Sequence, residues 1–118
     1  MFSFRDFFRS LRYALMGLRF VWRENNFKIQ VFCALLVVFL MFFLGLSRLE
    51  KVALLICIIA VLVLESLNTI FEHLSDILKP RLHDYVKIIK DIMAASVLIT
   101  SLGAVVIGLI IFWPYFFN

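Results

Sequence analysis

The sequence predicts an all-α integral membrane domain, with an N-terminal interfacial amphipathic helix ahead of three transmembrane helices. Three observations carry that expectation. Of the 118 residues, 64% are hydrophobic, and mean hydropathy is +1.06, well above the apolar share of ordinary soluble domains. Three apolar runs each approach the roughly 20 residues a helix needs to cross a hydrocarbon core of about 30 Å. Basic residues are segregated between the ends of those runs. At this length the whole chain, residues 1–118, reads as one membrane-embedded domain.

The first element is expected over residues 2–23. Phe4, Phe7, Phe8, Leu11, Leu15, Leu18 and Trp22 fall on one helical face, and Arg5, Arg9, Arg12, Arg19 and Arg23 on an adjacent one. A helix divided this way lies in the membrane interface, with its arginines at lipid phosphates. It serves either as a plain anchor or to gather substrate. An uninterrupted apolar stretch is missing here, so the segment does not read as a signal peptide.

The apolar spans are expected over about 29–46, 52–70 and 92–112. Loops at 47–51 and 79–91 join them, the second containing the helix-stopping Pro80. The middle helix is expected from near Glu50 to about Leu78, some 40 Å at 1.5 Å per residue. Ten basic residues precede the first span or lie in the second loop, whereas only Arg48 and Lys51 lie in the first loop. The positive-inside rule then places the N-terminus and second loop in the cytoplasm and the C-terminus outside. Trp22 suits the inner interface, and Trp113 and Tyr115 the outer one. The same asymmetry accounts for the net charge of +4 without any nucleic-acid partner. Ser96, Thr100, Ala104 and Gly108 recur every four residues on the last span and read as a close-packing stripe. Cys33 and Cys57 lack metal or disulfide spacing and read as small buried hydrophobes.

The middle span carries the chemistry. Glu65, Asn68, Thr69, Glu72 and Asp76 share one face of an otherwise oily helix. Carboxylates within membrane sequence are costly and mark function by default. Glu24, Lys90 and Asp91 stand just before the other two spans, at a similar depth. Two carboxylates, Glu24 and Glu72, suit a hard cation such as Mg²⁺. Glu65, set deeper and partly desolvated, suits a general base. Asn68 can orient a hydroxyl or phosphate oxygen, and Lys90 can meet a phosphate. Together they fit phosphoryl transfer.

Other readings stand beside this one. Glu65 and Asn68 could belong to an oligomeric proton or cation pathway. Glu72, Asp76, Lys90 and Asp91 could be solvated interfacial charges, and the chain could be purely structural. His73 and His83 lack metal-ligand partners. Neither a GxxxxGK[ST] loop nor a GxGxxG turn occurs, which excludes a soluble-type nucleotide fold. A nucleotide site would have to lie between helices.

The segment Glu65-x-Leu67-Asn68-Thr69-x-x-Glu72-x-x-x-Asp76 resembles the signature of the prokaryotic diacylglycerol kinase family, which includes undecaprenol kinases. Gly17-Leu18-Arg19 and the block from Trp22 to Lys28 resemble its N-terminal part. The block from Gly45 to Glu50 resembles its first loop, and Lys87-Ile-Ile-Lys90-Asp91 the start of its last helix. The resemblance implies a homotrimeric, ATP- and Mg²⁺-dependent lipid kinase of the bacterial inner membrane, with composite sites between protomers. It implies Glu65 as the base acting on the lipid hydroxyl, and Glu24 and Glu72 as metal ligands. Asn68, Lys90 and Asp91 would support ATP, and Arg19 would join Glu65 and Asn68 at the lipid. The acceptor would be diacylglycerol or undecaprenol. Ile70, Phe71 and Ser75 depart from the usual pattern.

Overall fold

The computed structural model describes residues 3–81 and 83–117, so the expected start of the first helix at Phe2 lies outside the described residues. Four helices follow in order: α1 Phe4–Val21, α2 Asn25–Phe43, α3 Arg48–Leu78 and α4 His83–Phe117. The last three are long and apolar enough to cross a membrane.

Local sequence sets each boundary. The Ser3 hydroxyl caps α1 by accepting from the Asp6 N–H at 3.3 Å, and Asp6 pairs with Arg9 at 2.6 Å. A carboxylate in the first turn also complements the helix dipole. A tight turn, in which the Glu24 N–H donates to the Val21 carbonyl at 2.9 Å, leads into α2. Glu24 is the N-cap of α2, yet its side chain makes no capping hydrogen bond.

The expected first span to residue 46 is corrected at its end, because α2 stops at Phe43. Gly45 takes a left-handed φ of +67°, which favours glycine. The Leu46 N–H then donates back to the Met41 carbonyl at 3.1 Å. That six-to-one bond around a left-handed glycine is a Schellman close. It folds Leu46 onto Met41 and Leu54, forming the buried apolar cluster at this end.

The helix α3 starts at Arg48, earlier than the expected Glu50. Ser47 and Glu50 form a capping box: the Glu50 N–H donates to the Ser47 hydroxyl at 3.3 Å, and the Ser47 N–H donates to the Glu50 carboxylate at 2.9 Å. Arg48 and Lys51 are therefore helical rather than in a loop. At the other end α3 reaches Leu78, with Lys79 as its cap and Pro80 next. The expected loop over 79–91 is mostly replaced by helix. His83 already opens α4, with Asp84 in its first turn, so Lys87, Lys90 and Asp91 are held on a rigid element.

The helices α3 and α4 make the most extensive contact, followed by α2 with α3. Ser96, Thr100, Ala104 and Gly108 are all half-buried, but the close-packing expectation is corrected for the last two, which line an open cleft, and a Cβ at Gly108 would meet nothing within 4 Å. Tyr115 donates from its hydroxyl to the Glu50 carboxylate at 2.6 Å, tying the end of α4 to the start of α3. In contrast, α1 buries none of its residues. Its contacts with the bundle include a Phe20–His73 ring pair at 5.4 Å, and Trp22 meets Phe27 at 6.3 Å. The cysteine expectation is also corrected: Cys33 is exposed and Cys57 half-buried, both free. They line an open cleft rather than a filled core.

Candidate functional site

The inward stripe of α3 runs Leu54, Val61, Glu65, Thr69. Its spacing of seven, four and four keeps one face toward the neighbouring helices. The stripe thus changes from aliphatic to polar at Glu65 without leaving the interior. Glu65 is 7% exposed and Thr69 is 5% exposed. Thr69 donates its hydroxyl hydrogen to the Glu65 carbonyl at 3.1 Å, so its polarity is satisfied within the helix. Among the described residues, no hydrogen bond reaches the Glu65 carboxylate. Its oxygens keep some access to the surroundings, so the carboxylate is free to accept from a ligand.

The other stripe residues differ in burial. Asn68 is half-buried and donates from Nδ2 to the Glu72 carboxylate at 3.2 Å. Glu72 and Asp76 are exposed. Ser75, which lies beside the expected stripe, is more buried than any of them, at 3%. Ser75 lies about 120° round the helix from Thr69, so the periodicity of the stripe gives no signal for its burial.

The turn between α1 and α2 brings Glu24 toward this region. Glu24 and Glu72 both lie close enough for their charges to act on the Glu65 carboxylate. Since Glu24 is not consumed as a cap, its oxygens remain available. Among the described residues, no group of three or more His, Cys, Asp or Glu side chains converges tightly enough to hold a metal. Two carboxylates suit Mg²⁺ where phosphates and waters complete an octahedron. The donor set therefore fits a cation delivered with a phosphate ligand rather than a closed protein cage.

On α4, Lys90 is half-buried and Asp91 is exposed. Asp91 pairs with Lys87 at 3.6 Å. The Glu50–Tyr115 bond fixes the antiparallel register of α3 and α4. Counting down both helices from that bond, Lys90 falls level with Ser75. Lys90 is then about 15 Å along the axis from Glu65, and nearer to Glu72 and Asp76. Arg19 stands in the last turn of α1, beside Phe20, whose ring meets His73. The helix α1 thus reaches α3 one residue beyond Glu72, a contact that the sequence reading of His73 missed.

Above Glu65 the three long helices leave a cleft of about 750 Å³. Gln30 and Ser101 lie toward its Glu65 end, and Phe112 and Trp113 toward the other. Val61, in its wall, is one helical turn from Glu65.

Residues 12–112 match the family described as prokaryotic diacylglycerol kinase. An undecaprenol kinase of Bacillus subtilis is 33% identical over 112 residues, covering 92% of this chain and 89% of that protein. A diacylglycerol kinase of Synechocystis is 32% identical over 101 residues, covering 84% of this chain and 58% of that protein. A diacylglycerol kinase of Escherichia coli K12 is 28% identical over 115 residues, covering 97% of this chain and 94% of that protein.

Proposed function

This chain belongs to the prokaryotic diacylglycerol kinase family, and we propose that it transfers the γ-phosphoryl group of ATP to the hydroxyl of diacylglycerol, giving phosphatidic acid. The observation that carries this reading is Glu65, a residue only 7% exposed whose carboxylate accepts no hydrogen bond among the described residues and which stands one helical turn from Val61 in the wall of an apolar cleft.

In the proposed reaction the lipid hydroxyl lies at Glu65, with Arg19 and Asn68 helping to hold the lipid. Glu65 accepts the hydroxyl proton as the oxygen attacks the γ-phosphorus in line, and ADP leaves. Glu24 and Glu72 would hold Mg²⁺, which when bound neutralises charge on the phosphates. Asn68 orients Glu72 through the 3.2 Å hydrogen bond. Lys90 and Asp91 serve the nucleotide. The separation of Lys90 from Glu65 within one chain supports a site completed by a neighbouring copy, in a homotrimer with composite active sites. The protein would lie in the bacterial inner membrane, with its N-terminus cytoplasmic and C-terminus outside. Its α1 would lie in the inner interface, with Arg5, Arg9, Arg12 and Arg19, and Arg23 just beyond it, on lipid phosphates.

Phosphorylation of undecaprenol by the same groups is the second reading, favoured by the relative of that name at 33% identity. A proton or cation pathway is disfavoured by the lining above Glu65, which is apolar from Val61 to Trp113 save for Gln30 and Ser101. The test is the full chain reconstituted in bilayers with γ-labelled ATP and each lipid. The expected result is label in at least one lipid, lost with Glu65→Gln. Label in neither lipid, or equal label with Glu65→Gln, overturns the proposal.

A further inference from the structure

We propose that His73 is a positioning residue: its contact with Phe20 sets where Glu24 stands relative to Glu72. The inference rests on the reading of Glu24 and Glu72 as ligands of the cation. Those two carboxylates come from different elements, one in the α1–α2 turn and one on α3. Among the described residues no hydrogen bond joins them, and the partner of Glu72 is Asn68, on its own helix. Their separation is therefore fixed by whatever holds the turn against α3.

Two ring contacts flank Glu24. Four residues before it, the Phe20 ring meets the His73 ring at 5.4 Å, edge to face. Three residues after it, Phe27 is buried in the first turn of α2 and makes a T-shaped contact with Trp22 at 6.3 Å. The backbone between them is tightly bonded. The Arg23 N–H donates to the Phe20 carbonyl at 3.2 Å, the Glu24 N–H to the Val21 carbonyl at 2.9 Å, and the Lys28 N–H to the Glu24 carbonyl at 3.2 Å. A shift of Phe20 thus reaches Glu24 rather than being taken up by slack chain. Buried Phe27 fixes one point of the turn, about which the chain can still rotate. Phe20 on His73 supplies the second point.

The helix geometry gives His73 an indirect part. Successive helical residues do not face the same way, so His73 is turned from Glu72 and meets α1 instead. The Arg23 guanidinium lies 5.3 Å from the centre of the same Phe20 ring, a second contact that holds the ring in place. His73 is exposed and Phe20 is 48% exposed. Deleting either ring therefore opens no core, and the variants should fold.

The experiment uses the full chain in bilayers without ATP. Cys33→Ala and Cys57→Ala remove the native thiols, and Glu24→Cys with Glu72→Cys places a thiol at each ligand position. A short bis-maleimide bridges them, and intact mass separates bridges within one chain from bridges between chains. Rates are normalised to single-maleimide labelling of the same thiols. His73→Ala and Phe20→Ala should each slow the within-chain bridge by about two- to tenfold, the range open to one aromatic pair. The double variant should be no slower than either single one, and His73→Phe should restore the rate. Four results overturn the proposal: an unchanged rate with His73→Ala, a double variant as slow as the product of the singles, equal slowing by Tyr115→Phe, or bridges only between chains. In the chain with its native cysteines and glutamates, His73→Ala should raise the Mg²⁺ concentration at half-maximal rate by the same factor, with kcat at saturating Mg²⁺ nearly unchanged. A lower kcat with unaltered Mg²⁺ dependence also overturns it. Bridging needs no phosphoryl transfer, so a failed kinase assay and an unpositioned Glu24 are separate outcomes.

Discussion

Replacing Glu65 with glutamine separates the cost of this residue from its use. Glutamine keeps the shape and length of the side chain and removes the charge. Glu65 is 7% exposed, accepts no hydrogen bond among the described residues, and feels the like charges of Glu24 and Glu72. A central aspartate costs about 2.5–3.5 kcal/mol on a membrane-insertion scale. Glu65 lies about 22 Å along α3 from Glu50, past the middle of a core of about 30 Å, and glutamine itself remains polar. The expected gain in stability is therefore only about 1–2 kcal/mol. The expected loss in kcat is about 10²–10⁴-fold, the usual contribution of a positioned base, with little change in the KM for lipid. The assay pairs initial rates with labelled ATP in mixed micelles with thermal unfolding in the same detergent. Activity within tenfold of wild type refutes the assignment of Glu65 as base. So does a loss of activity that merely tracks a loss of stability, because the residue would then be structural.

Three further outcomes follow from named contacts. Asn68→Leu removes the donor that orients Glu72, so the Mg²⁺ concentration giving half-maximal rate should rise about five- to twentyfold, for a loss of about 1–2 kcal/mol, as read from a metal titration. Tyr115→Phe breaks the hydrogen bond to Glu50 at the end of the bundle away from Glu65. It should lower the unfolding temperature only slightly, and kcat should stay within twofold. His73→Ala deletes the ring pair with Phe20, worth about 0.5–1.5 kcal/mol. Since α1 buries no residue of its own, hydrogen exchange should accelerate across α1 and not across α3.

Much of this architecture was legible because the signals are local. Pro80 forbids continuation of α3, and each apolar run is long enough to span, whereas the Ser47–Glu50 capping box, equally local, is the signal that the expected loop at 47–51 passes over. The boundary errors are local too. The expected span through residue 46 runs past Gly45, whose left-handed close ends α2 and buries Leu46 against Met41. Charges at Lys87, Lys90 and Asp91 suggested a loop, although nothing in 83–91 breaks a helix. The site was legible as a periodic pattern but not as a graded one. Projection onto a helix puts Glu65 and Asp76 on one face, whereas burial depends on where α4 and the α1–α2 turn lie. Contacts between residues far apart in sequence carry no local signature: Glu50 and Tyr115 are 65 residues apart, and Phe20 and His73 are 53 apart.

The register of α3 and α4 bears on how a reaction at Glu65 could be organised. Both helices are rigid, and the Glu50–Tyr115 bond pins them at one end. A residue's level is then set by its count from that bond, and side-chain rotation cannot bring Lys90 up about 15 Å. The groups level with Glu65 on α4 centre on Thr100, whose neighbours Ser96 and Ala104 on the same face are small and uncharged. Within one chain, then, Glu65 stands one turn from an apolar cleft while Lys90 stands lower, nearer the level of Glu72 and Asp76. That division suits a bisubstrate reaction at a membrane surface. In the proposed reaction the lipid hydroxyl would come down to the boundary and the nucleotide up to it, so that the transferred phosphoryl group would cross only the last few ångströms. Glu24 and Glu72, from two different elements but both within electrostatic range of Glu65, lie where the two levels meet. A cation held there would draw the phosphates toward the base. The Asn68 amide, bonded to Glu72 on the buried side of that junction, links the two levels through a single side chain.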